Sequence, residues 1–295
     1  MKKMRIGNLE VQTPPLAYGF WRFAGTSVKE ARAKVEVALE CGMTLMDHAD
    51  IYGAGPHGEF GDAEALFGEV LAEAPEIRGQ IILATKGGIV PGVPYDSSAD
   101  YLRLAVENSL RRLRVDTIDL YQIHRPDFLG DPREISAVLV ALRAEGKIRE
   151  VGVSNYTASQ TRALQAHLPF PLATVQPEFS VLAPDVLRNG VLDLCMETGM
   201  VPLAWSPLGG GRIFASEGPR AARVAAELKI LANKYGVGMD AIALAWVLRH
   251  PSGPIAILGT QKVDRIRTAT QALTFDLTRE EWNRVLIASE GQPLP

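Results

Sequence analysis

Eight short apolar runs alternate with longer amphipathic segments along the chain, and this alternation constrains the fold more than any other feature. Most of the runs are continuously apolar, which is typical of strands buried on both faces of a parallel sheet. The predicted strands are 16–19, 44–47, 81–85, 118–124, 151–154, 173–176, 201–205 and 255–258. Eight strands, each followed by a helical segment, predict an α/β fold of the (β/α)8 TIM-barrel type. A doubly wound sheet is the alternative that the pattern alone leaves open.

The segments between the strands carry helix signals. Ser27 is suited to cap a helix that runs to about Glu40, and Pro132 is suited to the first turn of a helix that closes at Gly146. The predicted helices are 27–40, 63–73, 98–114, 132–146, one starting at 157, 185–198, 240–249 and 263–272. Each lies between two predicted strands or after the last one, as a barrel requires.

Three segments are additions to the eight units. Residues 4–11 alternate around Gly7-Asn8 and predict a β-hairpin that closes the bottom of the barrel. Glu217 to Tyr235 predicts an inserted helix, and Thr278 to Ala288 predicts a final helix opened by a capping box. No linker-like stretch interrupts residues 1–295, so we expect a single domain.

Composition narrows the function classes. The chain has 31 Lys and Arg against 34 Asp and Glu, a net charge of −3, which gives no general attraction to nucleic acid or anionic lipid. Two cysteines, Cys41 and Cys195, do not make a disulfide framework and favour a reducing compartment. No secretory signal and no run of about 18 apolar residues is seen. We therefore expect a cytoplasmic protein without a nucleic-acid or membrane partner, while the oligomeric state stays open.

Polar residues stand where the second, third and fourth predicted strands end. Asp47, Lys86 and His124 are separated by 39 and 38 residues, and one strand–helix unit fits each interval. In a barrel of this type the active site is built at the carboxyl ends of the strands. A buried lysine is costly unless it is paired, and Asp47 is the natural partner of Lys86. Tyr52 follows five residues after Asp47, on a loop that would fold back over the mouth.

These four residue types suit proton transfer to a carbonyl group. A phenol has an ordinary pKa of about 10, and a neighbouring ammonium stabilises the phenolate and lowers that pKa. A neutral imidazole can orient a carbonyl oxygen by hydrogen bonding. Together these groups could protonate a carbonyl as it accepts hydride, or perform the reverse step on an alcohol.

Six runs of sequence carry a family resemblance. They are 42–53, which includes His48-Ala49-Asp50-Ile51-Tyr52-Gly53, then 84–86, 119–124, 152–156, 175–176 and 204–212. In this order they resemble the signatures of the aldo-keto reductases, and the similarity extends from Arg5 to about Ser289. The resemblance is greatest to a divergent bacterial branch that carries His-Ala-Asp-Ile-Tyr-Gly and Trp-Ser-x-Leu-Gly-Gly-Gly-Arg.

The resemblance implies a nicotinamide-dependent carbonyl reductase with a small carbonyl or alcohol substrate. Tyr52 would be the general acid, Lys86 held by Asp47 would lower its pKa, and His124 would orient the carbonyl. The substrate side is expected to include Trp21 and Arg125. The residues implied to contact the nicotinamide and pyrophosphate are Ser154, Asn155, Gln176, Trp205, Ser206, Pro207, Leu208, Gly209, Gly210 and Arg212.

The stretch after the eighth strand is implied to contact the adenosine end of the cofactor. The residues concerned are Gly259, Thr260, Gln261, Lys262 and Arg265. Lys262 and Arg265 stand at a predicted helix start, where they would meet a 2′-phosphate, so NADPH is favoured over NADH. Many relatives carry Glu-Asn where this chain has Thr268-Ala269, which sets its adenine contacts apart.

Other functions compete with the reductase. A barrel hydrolase would need paired carboxylates, for which Asp47, Asp50 and Glu59 are the candidates. A third hypothesis is a redox-sensing or regulatory protein that binds NADP(H) but turns over little, as in potassium-channel beta subunits that resemble the family.

Two local patterns imitate other sites. Residues 53–58 form a literal G-x-G-x-x-G, but Pro56 suits the phosphate turn poorly and no acidic residue follows at the expected distance. His48, Asp50 and His57 match no common metal spacing, so no metal is expected.

Overall fold

Eight parallel strands close into a barrel in the computed structural model, which describes residues 3–55, 58–216 and 218–294. The strands are β1 (Leu16–Gly19), β2 (Leu45–Asp47), β3 (Ile82–Gly87), β4 (Ile118–Ile123), β5 (Ile148–Ser154), β6 (Thr174–Gln176), β7 (Val201–Ala204) and β8 (Ile255–Leu258). Each strand pairs with the next in sequence, and β8 pairs with β1. The predicted (β/α)8 fold is confirmed, and the doubly wound alternative is wrong.

Helices lie between the strands and follow the last one. They are α1 (Val28–Glu40), α2 (Asp62–Glu73), α3 (Ala99–Leu113), α4 (Pro132–Ala144), α5 (Ala158–Gln165), α6 (Val191–Thr198), α7 (Arg212–Ala215), α8 (Gly218–Tyr235), α9 (Met239–Leu248), α10 (Val263–Ala269) and α11 (Arg279–Glu290). Ser27 caps α1 and Thr278 caps α11, each in a complete capping box. The two predicted additional helices are α8 and α11, which pack against each other.

The predicted helix 185–198 is interrupted in the structure. The segment 185–198 is a short 3₁₀ turn, Asp185–Leu187, followed by α6, because Gly190 adopts a left-handed φ of 81° that no α-helix continues through. The inserted helix is described from Gly218, since Glu217 lies outside the described residues. The short helix α7 carries no clear sequence signal.

The N-terminal segment closes the bottom of the barrel. Met4 and Thr13 exchange backbone hydrogen bonds of 2.7 and 3.0 Å, so the predicted hairpin is present as a single antiparallel bridge rather than as two strands. Ile6 and Leu9 are buried between its ends. They pack in one cluster with inward-facing strand residues, among them Ala17, Leu45, Ile82, Leu120, Leu203 and Ile255. The segment therefore fills the end of the barrel opposite the strand carboxyl ends.

The turn in this segment depends on glycine. Gly7 has a φ of +52°, and a Cβ placed on it would lie 2.6 Å from the carboxyl carbon of Glu150 on β5. The same carboxylate accepts the backbone N–H of Asn8 at 2.8 Å. Both the backbone conformation and the close approach thus require a residue without a side chain.

None of the described helices combines the length and the apolar character needed to cross a lipid bilayer.

Candidate active site

The ends of β2 and β3 bring a carboxylate and an ammonium group together. Lys86 is fully buried, and its Nζ donates to Asp47 Oδ2 and to the carbonyl oxygen of His48, each at 2.7 Å. The other oxygen, Asp47 Oδ1, accepts the amide of Gln176 from β6 at 2.9 Å. Close pairing and further hydrogen bonds are what a buried ion pair needs to offset the loss of solvation.

The loop after β2 returns Tyr52 to this pair. Its backbone N–H donates to Ala49 at 3.0 Å, and its carbonyl accepts the N–H of Ala63 in α2 at 3.1 Å, which fixes the loop at both ends. Lys86 Nζ lies 5.0 Å from the centroid of the Tyr52 ring. The ring of His124, just beyond the end of β4, lies edge-on at 5.9 Å from the same ring. The structure therefore brings together all four residues that the sequence predicted as catalytic.

The protonation states of Tyr52 and Lys86 depend on burial as well as on the neighbouring charges. Burial raises the pKa of Tyr52 above its ordinary value of 10.0, although Lys86 acts in the opposite direction. Lys86 thus lowers the pKa of Tyr52 as expected, but the loss of solvation outweighs the ammonium and the net pKa is raised. Burial also acts to lower the pKa of Lys86, yet the nearby Asp47 carboxylate and Tyr52 hydroxyl raise it. A protonated phenol therefore faces a charged ammonium at neutral pH.

His124 is neutral in this environment. Burial lowers its pKa well below the ordinary 6.5, and the positive charges of Lys86 and Arg125 lower it further. Its Nδ1 is buried and has no hydrogen-bond partner among the described residues. A neutral imidazole at this position can orient a carbonyl oxygen without adding charge.

A hydrogen-bonded network links the ends of β4 to β7. Asn155, at a left-handed φ of 59°, accepts Trp205 Nε1 at 3.0 Å and donates to the carbonyl of His124 at 3.3 Å and to Ser154 Oγ at 2.9 Å. Ser154 donates to the backbone carbonyl of Gln176 at 3.0 Å. These residues converge as predicted, but the Asn155 amide is engaged within the protein. Ser154, Asn155 and Gln176 are the three residues predicted to contact the carboxamide. Among them, the side-chain oxygen of Gln176 accepts no hydrogen bond within the described chain.

The loop after β7 is shaped by three successive glycines. Gly209, Gly210 and Gly211 have φ values of 58°, 67° and 97°, a run of left-handed conformations that other residues rarely adopt. Added Cβ atoms on Gly210 and Gly211 would meet nothing within 4 Å, so this backbone is open on one side. The N–H groups of Gly209 and Gly211 donate within the loop, to the carbonyls of Ser206 and Leu208 at 2.8 and 3.0 Å, so the loop holds its own shape. Arg212 is exposed beside them and donates to the Gly209 carbonyl at 2.9 Å.

The remaining predicted residues of this loop, Ser206, Pro207 and Leu208, lie between Trp205 and the glycines. Ser206 adopts a left-handed φ of 49° and its carbonyl accepts the N–H of Gly209 at 2.8 Å. The loop therefore turns sharply at the strand end, which keeps the glycines beside the mouth.

The end of β8 offers an unused donor. Tyr18 Oη, on β1, donates to Gln261 Oε1 at 3.2 Å, while Gln261 Nε2 is buried without a partner among the described residues. Gly259 and Thr260 are half-buried between the strand and this side chain. A buried donor of this kind is costly unless something binds it. With the open glycine loop, it fits a polar cofactor bound across the mouth.

Two exposed cations follow at the start of α10. Within the described ranges, no carboxylate lies within 4.0 Å of Lys262 or Arg265. Arg267, on the same helix, is instead paired with Glu40 at 2.7 Å. The two residues predicted to meet a 2′-phosphate are thus available, whereas their neighbour is not.

The predicted substrate residues lie on different parts of the mouth. Trp21 is 57% exposed on the loop after β1. The Arg125 guanidinium lies 5.9 Å from the centroid of the Trp205 ring, between the loops after β4 and β7. Sequence reasoning missed Arg22, whose guanidinium lies 4.4 Å from the Trp21 ring and beside Gly259. No sequence signal sets it apart from an ordinary surface arginine.

The carboxylates do not form a hydrolytic pair. Asp47 is bonded to Lys86 and Gln176, Glu59 is exposed, and Asp50 is buried beside Tyr101. No group of three or more His, Cys, Asp or Glu placed to hold a metal occurs within residues 3–55, 58–216 and 218–294. Pro56, in the G-x-G-x-x-G pattern, and His57, in the metal-like set with His48 and Asp50, lie outside the described residues.

Two surface cavities of about 600 and 670 Å³ lie at the opposite end of the barrel, beside the N-terminal segment. Their charged lining is largely paired: Arg78 binds Asp119 at 2.8 Å, and Arg149 lies 3.5 Å from the same carboxylate. These cavities lie at the base of the barrel and contain none of the candidate catalytic residues.

Comparison with known proteins agrees with this geometry. The model of the aldo/keto reductase family matches residues 15–290. The chain is 46% identical over 293 residues to a 6-dehydroglucose reductase of Novosphingobium aromaticivorans, covering 99% of this chain and 96% of that protein. It is 37% identical to the oxidoreductase YdhF of Escherichia coli, covering 94% of each.

A solved structure shows the same architecture. The glycerol dehydrogenase of Gluconobacter oxydans superposes with a TM-score of 0.85 at 29% identity, covering 99% of this chain and 97% of that one. The family match spans almost all of the barrel and every strand end that contributes to the site. The chain belongs to the aldo/keto reductase family.

Proposed function

We propose that this protein is an NADP(H)-dependent oxidoreductase that reduces aldehydes or ketones to alcohols, or catalyses the reverse reaction, with Tyr52 as general acid and base. The observation that carries the proposal is the convergence of Tyr52, the buried Lys86–Asp47 pair and neutral His124 at one mouth of the barrel. Membership of the family and relatives named as reductases and oxidoreductases support it.

The residues divide the proton chemistry between them. A bound nicotinamide supplies or accepts the hydride. His124 holds the carbonyl oxygen by hydrogen bonding, and Tyr52 gives its phenolic proton to that oxygen as the carbon is reduced. Lys86 stabilises the phenolate that remains, and Asp47 keeps the ammonium in place. In the oxidative direction the phenolate takes the proton from the alcohol.

The cofactor proposed is NADPH. Gln176, together with Ser154 and Asn155, would hold the carboxamide, and Trp205 would stack on the nicotinamide ring. The open backbone after β7 suits the pyrophosphate, and Gln261 has a buried amide donor to give. Lys262 and Arg265 would bind the 2′-phosphate, which NADH lacks.

The substrate class proposed is a hydroxylated aldehyde of about the size of a hexose. The relative at 46% identity is a 6-dehydroglucose reductase, and a second one, from Agrobacterium fabrum, is 41% identical. The mouth offers the Arg125 guanidinium as a polar donor and the exposed Trp21 ring as a flat apolar face. Such a pair suits a ligand with hydroxyl groups on one side and C–H groups on the other.

Oxidation of NADPH in the presence of a panel of carbonyl compounds tests the reaction. We expect turnover with the wild-type protein and a loss of about 10²–10⁴ in kcat for Tyr52→Phe, with unchanged NADPH affinity. Equal rates for both proteins would contradict the role of Tyr52. Tight NADPH binding without turnover of any compound would instead favour the regulatory alternative.

Fluorescence titration with NADPH and NADH tests the cofactor preference. The chain has four tryptophans, of which Trp246 and Trp282 stack on each other away from the mouth, so Trp21 and Trp205 should report binding. Lys262→Ala and Arg265→Ala should weaken NADPH binding and leave NADH binding unaltered. Arg267→Ala is the matched control, because Arg267 is paired with Glu40. Equal affinity for both cofactors would contradict the phosphate contact.

A further inference from the structure

A buried polar cluster lies behind β3, outside the barrel wall, and plays no part in the mechanism above. We call it the outer cluster; its members are Asp50, Glu64, Tyr101, Arg112 and Tyr121. Asp50 is 1% exposed and Tyr121 is fully buried. One carboxyl oxygen, Asp50 Oδ1, and the hydroxyl of Tyr121 have no hydrogen-bond partner among the described residues. Buried polar groups of this kind need an explanation, because each is costly to leave unpaired.

The outer cluster is pressed against the backbone that carries the candidate catalytic residues. The N–H of Asp50 donates to the carbonyl of Lys86 at 2.8 Å, and the N–H of His124 donates to the carbonyl of Gly87 at 2.8 Å. A Cβ placed on Gly87 would lie 2.2 Å from Tyr121 Oη and 3.1 Å from Asp50 Oδ2. The carboxyl and the phenol therefore meet the same residue, which directly follows Lys86.

The surroundings favour the uncharged form of the carboxyl group. Burial and, after it, the Glu64 carboxylate on α2 raise the pKa of Asp50 to about 8, although Arg112 on α3 acts to lower it. Arg112 is already paired with Glu64 at 2.7 Å. Burial also raises the pKa of Tyr101 on α3 and of Tyr121 on β4, so both phenols are neutral. Tyr101 Oη reaches Asp50 Oδ2 at 3.5 Å.

We propose that Asp50 is a positioning residue: a neutral carboxylic acid that accepts from Tyr101, packs against Tyr121 and Gly87, and so holds Lys86 and His124 in register with the loop that carries Tyr52. The proposal rests on the proposed reductase function. Asp50 lies two residues before Tyr52, so one short segment joins the general acid to the backbone of its lysine partner. Ionisation of the carboxyl would place a second negative charge beside Glu64 and loosen that contact.

Three variants distinguish a role of Asp50 in positioning the candidate catalytic residues from a role in the stability of the fold alone. Asp50→Asn keeps a neutral planar group and should retain kcat within about threefold at neutral pH, whereas Asp50→Ala should lose at least tenfold in kcat with a smaller change in KM. The wild-type kcat should fall above about pH 8, and the fall should be absent in Asp50→Asn. Equal loss in both variants, or identical pH profiles, would overturn the proposal. Asp100→Asn, an exposed carboxylate at the start of α3, is the control and should behave as the wild type.

The pH dependence of stability tests the protonation state of Asp50 without any enzymatic activity. An acid whose pKa is raised on folding is protonated in the native state and ionised in the unfolded state, so stability falls as pH rises from about 4 to about 8. The urea midpoint of Asp50→Asn minus that of the wild type should therefore increase from pH 5 to 8 and become constant above about pH 8. Parallel midpoints across this range would show an ionised Asp50 and overturn the proposal. Absence of carbonyl turnover by the wild type would leave this result unaffected.

Discussion

Replacing Asp47 by alanine tests whether the buried ion pair holds Lys86 in place. Lys86 is 0% exposed and has two acceptors, one of which is the Asp47 carboxylate at 2.7 Å. At that separation, with an effective dielectric constant of about 20, the gross Coulomb attraction is about 6 kcal/mol. Removal of one partner from a buried pair costs about 3–5 kcal/mol, because the other charge stays buried without compensation. The substitution also leaves the Gln176 amide without its acceptor.

We therefore expect Asp47→Ala to lower the free energy of unfolding by about 3–5 kcal/mol. Urea unfolding followed by tryptophan fluorescence measures this directly. Lys86→Met removes the other charge, and the double variant completes a cycle. Once both charges are gone no uncompensated ion remains, so the double variant should lose less than the sum of the single variants by about 1–3 kcal/mol.

Two results would refute this reasoning. One is a loss below about 1 kcal/mol for Asp47→Ala, which would be typical of an exposed ion pair. The other is strict additivity of the two single variants, which would show that Asp47 and Lys86 do not stabilise each other.

Three further predictions concern other parts of the molecule. The pKa of His124 lies well below 6.5, so kcat/KM for carbonyl reduction should stay flat between about pH 6 and 7.5; an inflection near its ordinary pKa would contradict a neutral imidazole. Gly7→Ala should lower the free energy of unfolding by roughly 1–3 kcal/mol because of its positive φ and its contact with a buried carboxylate, whereas Gly79→Ala, with open space around it, should change stability by less than about 0.5 kcal/mol; equal losses would argue against strain at the turn. Asn155→Ala removes the acceptor of Trp205 Nε1 and should weaken NADPH binding roughly fivefold to tenfold; unchanged affinity would mean that the indole needs no such support.

The sequence predicted the barrel because most of the runs that form the strands are continuously apolar and a helical segment follows each of them. The spacing of Asp47, Lys86 and His124 also predicted their meeting, since adjacent parallel strands end at the same edge. Local signals worked where the cause is local, as in the capping boxes at Ser27 and Thr278.

Features that depend on tertiary contacts were not predictable in this way. The N-terminal segment alternates like a hairpin, yet Ile6 and Leu9 both turn into the base of the barrel, and only one backbone bridge forms. The pKa of Tyr52 depends on how far burial outweighs the Lys86 ammonium, which a sequence does not record. Asp50 stood in the same motif as Tyr52, but its place behind the barrel wall follows from the turn of the loop.

The most direct test of the central claim is a single turnover with NADPH that carries deuterium at the transferable position of the nicotinamide. With an aldehyde substrate, we expect deuterium on the carbinol carbon of the alcohol formed by the wild-type protein. For Tyr52→Phe, which should bind NADPH as tightly, we expect labelled alcohol to form about 10²–10⁴ times more slowly, because the substitution removes the proton donor and not the source of the hydride. Label-free product from the wild type, or equal rates of labelled-product formation by the two proteins, would contradict hydride transfer assisted by Tyr52.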